Sequence, residues 1–226
     1  MPHTPGERRL RRPVVANRLA EPVPTRLVRG LRVGLLGGSF NPAHEGHRYV
    51  SEEALKQLDL DQLWWLVSPQ NPLKARSETA PLALRLERAR AVARHPQIRV
   101  TDLERRLKTR YTVDTVRRLQ AAFATHCFVW LMGADNFATL HRWRQWERIV
   151  TSVPIAVFDR EPYFYRAVGG VAARRFAAAC KSGDELRELA TASPPAWGMV
   201  QLRTHPASSS SIRARGGWTQ PGTEDE

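Results

Sequence analysis

Two imidazoles, His44 and His47, stand three residues apart at the end of the run LRVGLLGGSFNPAHEGH, residues 31–47. The apolar stretch Val33 to Leu36 stops at Gly37-Gly38, passes through Ser39, Phe40 and Asn41-Pro42, and reaches the histidines where a helix would begin. A strand, a glycine turn and a helix N-terminus together offer backbone N–H groups and the positive end of a helix dipole to a phosphate. Gly37 and Gly38 let the main chain approach an anion without an intervening Cβ. Histidines with this spacing share one face of a helical turn, so both can donate toward the same phosphate chain. Glycine turns after strands are common, and a metal site would need a third ligand that is not nearby. The phosphate reading therefore rests on the whole run and not on any single residue.

Other polar groups sit where further apolar runs end. LWWLV, residues 63–67, is followed by SPQNPLK, whose two flanking prolines stiffen a segment that delivers the Lys74 ammonium as a point charge suited to a polyphosphate. Thr112, in RYTVDT, is placed as a helix N-cap with Thr115 at the third helical position. The free N–H groups of that first turn could also hold a carboxylate. Asp135 follows the run CFVWLM closely, where it can accept hydrogen bonds from ribose hydroxyls or cap the helix from Asn136 onward. Trp143 and Trp146 fall three apart on one helical stretch, so one can be core while the other stacks on a flat heteroaromatic ring. Near the C-terminus, the serines 208–211 lead into Ile212-Arg213, a second anion cradle to face the first.

These groups need a scaffold that gathers them, and the hydrophobic pattern supplies one. Short continuous apolar runs at 63–67, 127–132 and 153–158 read as strands, the first marked as buried on both faces, and further short strands are read at 98–101 and 199–202. They alternate with helical patterns at 48–58, 82–94 and 113–123. Such alternation predicts an α/β fold, a Rossmann-like doubly wound parallel sheet with right-handed crossovers, whose ligands bind beyond the carboxyl ends of the strands. The 226 residues suffice for one domain, placed at 30–215. Residues 1–29 carry five prolines and seven arginines with almost no apolar periodicity, which predicts a flexible basic extension. Residues 216–226 read as a frayed tail.

The net charge is +13, and arginine supplies nearly all of the positive side. The arginines are dispersed, a pattern that suits anionic small substrates as well as nucleic acid, so charge does not choose between them. Cys127 and Cys180 have neither zinc nor disulfide spacing, and Cys127 reads as a small core residue. No run approaches the length of a membrane span, and the first thirty residues lack the apolar core of a secretory signal. A reducing cytoplasm is the expected location.

Taken in order, GGSFNPAHEGH, SPQNPLK, RYTVDT, MGADNF with HRW, and SSSSIR resemble the nucleotidylyltransferase superfamily. Within it they are most similar to the bacterial nicotinate-nucleotide adenylyltransferases, over roughly residues 31–215. The resemblance implies an enzyme of NAD biosynthesis that joins ATP to nicotinate mononucleotide, with Mg²⁺ carried by the ATP phosphates and no metal site on the protein. It assigns His44, His47, Arg213 and Lys74 to the catalytic set, and Gly37, Gly38, Ser39, Phe40, Asp135, Ser209 and Ser210 to ATP. Thr112 and Trp143 fall to the nicotinate ring and its carboxylate. Ala207 stands where the family signature has Ile, and Ser210 where it has Thr. No membrane or nucleic-acid partner is implied, and a homo-oligomer is compatible. A pantetheine-phosphate or cytidylyl-transferring relative would share the first and last motifs without needing GADNF and HRW. An inactive RNA-associated module would explain the arginines but not both histidines, the lysine and Ser-Ile-Arg together.

Overall fold

Apolar runs without alternation can only be satisfied where both faces of a strand are covered. The computed structural model describes residues 30–69, 79–159, 164–202 and 209. In it those segments fall in strands of one sheet. Strands β1 (Arg32–Gly38), β2 (Gln62–Val67), β3 (Ile98–Thr101), β4 (Cys127–Gly133), β5 (Ile155–Phe158), β6 (Cys180–Lys181) and β7 (Trp197–Val200) pair in the order β3-β2-β1-β4-β5-β7-β6. Every neighbouring pair is parallel. The helices are α1 (Glu45–Gln57), α2 (Leu82–Val92), α3 (Leu103–Arg106), α4 (Thr112–Ala122), α5 (Ala134–Thr139), α6 (Trp146–Val150), α7 (Phe164–Val168) and α8 (Val171–Arg175), with short 3₁₀ turns between.

Alternate residues of each strand sort onto two separate cores, as a period of two requires. On one face Leu63, Trp65, Val67, Val129, Leu131 and Phe158 pack with Ala54 and Leu55 of α1, Ala89 of α2 and Leu189. On the other, Trp64, Leu66, Phe128, Trp130, Met132 and Val157 pack with Val116 and Leu119 of α4, Phe137 of α5 and Ile149 of α6. The sheet is therefore doubly wound. The chain works outward from β1 to β3 and then returns past β1 to β4, so the strand order reverses between β1 and β4. A crevice opens beyond the carboxyl ends at such a point.

Five details differ from expectation. Strand β1 does not stop before its glycines: Gly37 and Gly38 remain in register with Leu66 and Val67. A Cβ on Gly37 would lie 2.9 Å from the Trp130 ring, so this glycine makes room for an indole as well as for any ligand. The strand expected from residue 153 begins at Ile155, because Pro154 has no N–H to add to the ladder and only its carbonyl is used, accepting from the Trp130 N–H at 2.8 Å. The last run forms strand at Trp197–Val200 and not at 199–202, since Trp197 pairs with Ile155 on one side and Cys180 on the other. Strand β6 and helices α7 and α8 had no apolar run or long periodic stretch to announce them. Cys127 opens β4 half-buried and so is not a full core residue.

The basic extension at 1–29 and the tail at 216–226 lie outside the described residues, as do Lys74, Ser210 and Arg213. Among the described residues, no helix is long and apolar enough to cross a membrane.

Gly37→Ala should destabilise the protein by about 1–3 kcal/mol, the usual cost of forcing a methyl into a packed site. Urea denaturation checks this, and an unchanged midpoint would mean that Trp130 moves aside freely.

Candidate functional site

The turn that leaves β1 is held by unusual local chemistry. Phe40 adopts φ 46°, a left-handed conformation costing a side-chain-bearing residue about 1–2 kcal/mol. Burial offsets that cost, for the Phe40 ring stacks on Trp65 at 4.9 Å with an 18° tilt and lies 4.9 Å from the His47 ring. The Asn41 side-chain oxygen accepts the Ala80 N–H at 3.2 Å. Ser51 fastens the first turn of α1 to the sheet: its hydroxyl donates to the His47 carbonyl at 2.7 Å and accepts from the Trp65 indole N–H at 2.8 Å.

His44 is the N-cap of α1 and His47 its third residue, and their rings lie 3.9 Å apart. The His44 backbone N–H donates to His47 Nδ1 at 3.2 Å. An Nδ1 that accepts leaves the proton of the neutral ring on Nε2, which becomes the donor edge. His47 lines the central cavity, whereas His44, 6 % exposed, backs it. The two rings are thus together, as their spacing implies, but they stand one behind the other and not side by side along the wall.

That cavity, about 700 Å³, lies at the crevice between the ends of β1 and β4. Gly37, Gly38, Ser39 and Phe40 line one end with His47. Asp135 also lines it; Gly133 takes the N-cap of α5, so Asp135 is not spent on capping. Ser209 reaches the same wall, and its hydroxyl donates to the Pro42 carbonyl at 3.0 Å, joining the serine run to the first motif.

Tyr111, Thr112 and Trp143 also line the cavity. Thr112 is not the cap: the extended Tyr111 holds that position, and Thr112 is the first helical residue of α4. Its N–H is therefore among those with no partner inside the helix. The guanidinium groups of Arg110 and Arg144 lie 5.7 and 4.8 Å from the centre of the Tyr111 ring, which makes this part of the cavity electropositive. Trp143 and Trp146 do not share a helix, because Gln145 between them has φ 50°. Trp143 faces the cavity, and Trp146 packs edge-on against Phe176 at 5.9 Å.

Reading the residues in order gave no hint of Glu104, which looks like one charge among several in LERR. The structure buries it along the cavity wall, where it accepts from the Thr115 hydroxyl at 3.3 Å. Thr115 in turn lies 2.9 Å from Thr109, and the Thr109 N–H donates to the Glu104 carbonyl at 2.9 Å. Among the described residues, no three His, Cys, Asp or Glu side chains converge to hold a metal ion. The donors around the cavity, an imidazole, arginines and a helix start, suit anionic oxygens.

Comparison with known proteins agrees with this geometry. A family model described as cytidylyltransferase-like matches residues 35–215. A protein of Cereibacter sphaeroides named "Probable nicotinate-nucleotide adenylyltransferase" is 50% identical over 82% of this chain and 98% of its own length. One of the same name from Ruegeria pomeroyi is 46% identical over 87% of this chain and 95% of its own. Among solved structures, the Plasmodium falciparum nicotinic acid mononucleotide adenylyltransferase complexed with NaAD gives a TM-score of 0.60 at 15% identity, covering 80% of this chain and 82% of that one. The same enzyme complexed with APC gives 0.58. At such identity the likeness concerns the fold.

Glu104 gives the site a pH signature. Burial pushes its carboxyl up to about 7, against hydrogen bonds from Ser68 and Thr115 that pull it down. The unfolded chain releases this proton near 4.5 while the folded chain keeps it to about 7, so its contribution to stability falls as pH rises across that window. Glu104→Gln should therefore gain on the parent protein between pH 5 and 8, by up to ~1.4 kcal/mol per pH unit. Urea denaturation at both ends of that range measures the difference, and a constant gap would contradict a buried titrating carboxyl.

Proposed function

The chain belongs to the cytidylyltransferase-like family, and from that premise we propose that it is a nicotinate-nucleotide adenylyltransferase. It transfers the adenylyl group of ATP to nicotinate mononucleotide, giving nicotinate adenine dinucleotide and pyrophosphate, a step of NAD biosynthesis. One observation carries the reading: a single cavity at the reversal of strand order is lined by His47 and the Ser39–Phe40 turn and also by Thr112 and Trp143. Polyphosphate chemistry and recognition of an aromatic acid thus meet in one space.

In this reading the 5′-phosphate oxygen of nicotinate mononucleotide attacks the α-phosphorus of ATP in line. A new P–O bond forms as the bond to pyrophosphate breaks. The attacking phosphate is already an anion at neutral pH, so no side chain need act as nucleophile or general base. The protein holds two nucleotides in register and neutralises charge on the transferring and departing oxygens. His47 donates from Nε2 to those oxygens, and His44 fixes its tautomer through its backbone N–H. Arg213, Ser210 and Lys74 join them on the strength of the sequence motifs. Gly37, Gly38, Ser39, Phe40 and Ser209 shape the ATP end, with Asp135 accepting from a ribose. The unpartnered N–H at Thr112 meets the nicotinate carboxylate, with the arginines beside Tyr111 favouring that charge. Mg²⁺ enters as part of the ATP substrate, liganded by phosphate oxygens.

Pyrophosphate release, measured with ATP and either nicotinate or nicotinamide mononucleotide, tests this reading. The acid should be strongly preferred, and phosphopantetheine should not substitute for it. His47→Ala should lose at least ~100-fold in turnover, about 2.7 kcal/mol, as when an oxyanion donor is deleted. Turnover unchanged in that variant would remove the role given to His47. Trp143→Ala should raise KM for nicotinate mononucleotide roughly tenfold, in the range of a lost stacking partner. Trp146→Ala should leave that KM within about threefold of the parent, and the reverse ranking would reassign the stacking residue.

A further inference from the structure

Arg85 of α2 is 1 % exposed and is among the largest fully buried side chains. Among the described residues its partners are all backbone carbonyls. Nε donates to Ala80 at 2.8 Å, one terminal nitrogen to both Ser39 and Ser68 at 2.7 Å, and the other to Pro69 at 3.1 Å. These acceptors come from the turn after β1, the segment after β2 and the approach to α2. A planar fork of N–H donors can reach all of them from one point, which a lysine ammonium cannot. Arg85 does not itself line the cavity, but Ser39 and Ser68 do. It therefore stands directly behind the end assigned to phosphate.

The charge of Arg85 is not balanced by a carboxylate among the described residues, and its burial weakens its hold on the proton. A guanidinium stays protonated all the same. Burying an ion without a counter-ion is costly, and an apolar residue would fill the same volume more cheaply. Retaining it makes sense if something anionic arrives on the far side of the carbonyls it holds. The orientation of those carbonyls points the same way. In a trans peptide the C=O and the following N–H point in opposite directions. Gripping the Ser39 carbonyl from behind turns the Phe40 N–H to the opposite side, where Ser39 and Phe40 line the cavity.

We propose that Arg85 is a positioning residue for polyphosphate: by holding the Ser39 carbonyl it aims the Phe40 N–H into the cavity, and the bound phosphates supply a counter-charge that no described carboxylate provides. This rests on the reading of the cavity as an ATP site.

Inorganic tripolyphosphate is the probe, because it carries neither adenosine nor nicotinate. In the parent protein, hydrogen exchange at the Phe40 amide should slow at least tenfold when tripolyphosphate saturates; exchange that does not respond overturns the proposal. Arg85→Lys keeps the charge and loses the fork, while Arg85→Met loses both. Tripolyphosphate affinity should fall about tenfold in the first and further in the second, with KM for ATP rising in step and KM for nicotinate mononucleotide within threefold of the parent. A purely structural arginine would instead lower the urea midpoint while the folded variants kept their affinity for tripolyphosphate and ATP, and that result refutes the inference. If neither variant folds, the parent's Phe40 amide decides alone. A parent protein that protects Phe40 on binding tripolyphosphate yet fails to join ATP to nicotinate mononucleotide would sink the proposed function and leave Arg85 its role.

Discussion

Parallel hydrogen bonding of β1 to β2 on one side and to β4 on the other determines where every wall of the cleft can be. Because the three strands run the same way, their carboxyl ends lie side by side, and the loops leaving them share one rim. Because β1 is central, neither of its edges is free. The turn after Gly38 must leave at that rim, between the segments that follow β2 and β4. The double glycine permits this tight centre, since the Trp130 ring of β4 occupies the space where a Gly37 side chain would be.

Features that cost stability gather around that rim. Phe40 is in a left-handed conformation, Glu104 is a carboxyl buried along the cavity wall, and Arg85 is a buried guanidinium surrounded by carbonyls. Each makes favourable contacts nearby that partly offset the cost: the Phe40 ring stacks on Trp65, Glu104 accepts from Thr115, and Arg85 donates several hydrogen bonds. Strained or charged groups persist where surrounding structure over-determines them, and such places are commonly working sites. Away from the rim the same chain obeys ordinary rules, with apolar residues sorted onto two faces of the sheet.

The strand at 63–67 could be read almost to the residue, because an apolar run bounded by polar residues needs no distant partner to declare itself. The short β6, with one polar residue among its two, carries no such signal and exists only because β7 offers it an edge. The site followed the same division. His47, Ser39, Phe40, Asp135, Thr112 and Trp143 were found from motif and position, and all line one cavity. Glu104 and Arg85 were missed, since each resembles an ordinary charge on a charged helix until the fold covers it.

The sequence by itself determined that strands and helices alternate, that the strands built from apolar runs are buried on both faces, and that glycine, histidine and serine lie at their ends. These are properties of short stretches, governed by hydrophobic period and backbone permissiveness. Only the tertiary structure decided which tryptophan faces the cavity, which imidazole stands in front, what Gly37 makes room for, and that Ser209 meets Pro42. Each of those outcomes depends on contact between residues distant along the chain, and such contacts exist only once the sheet has set the strand ends side by side.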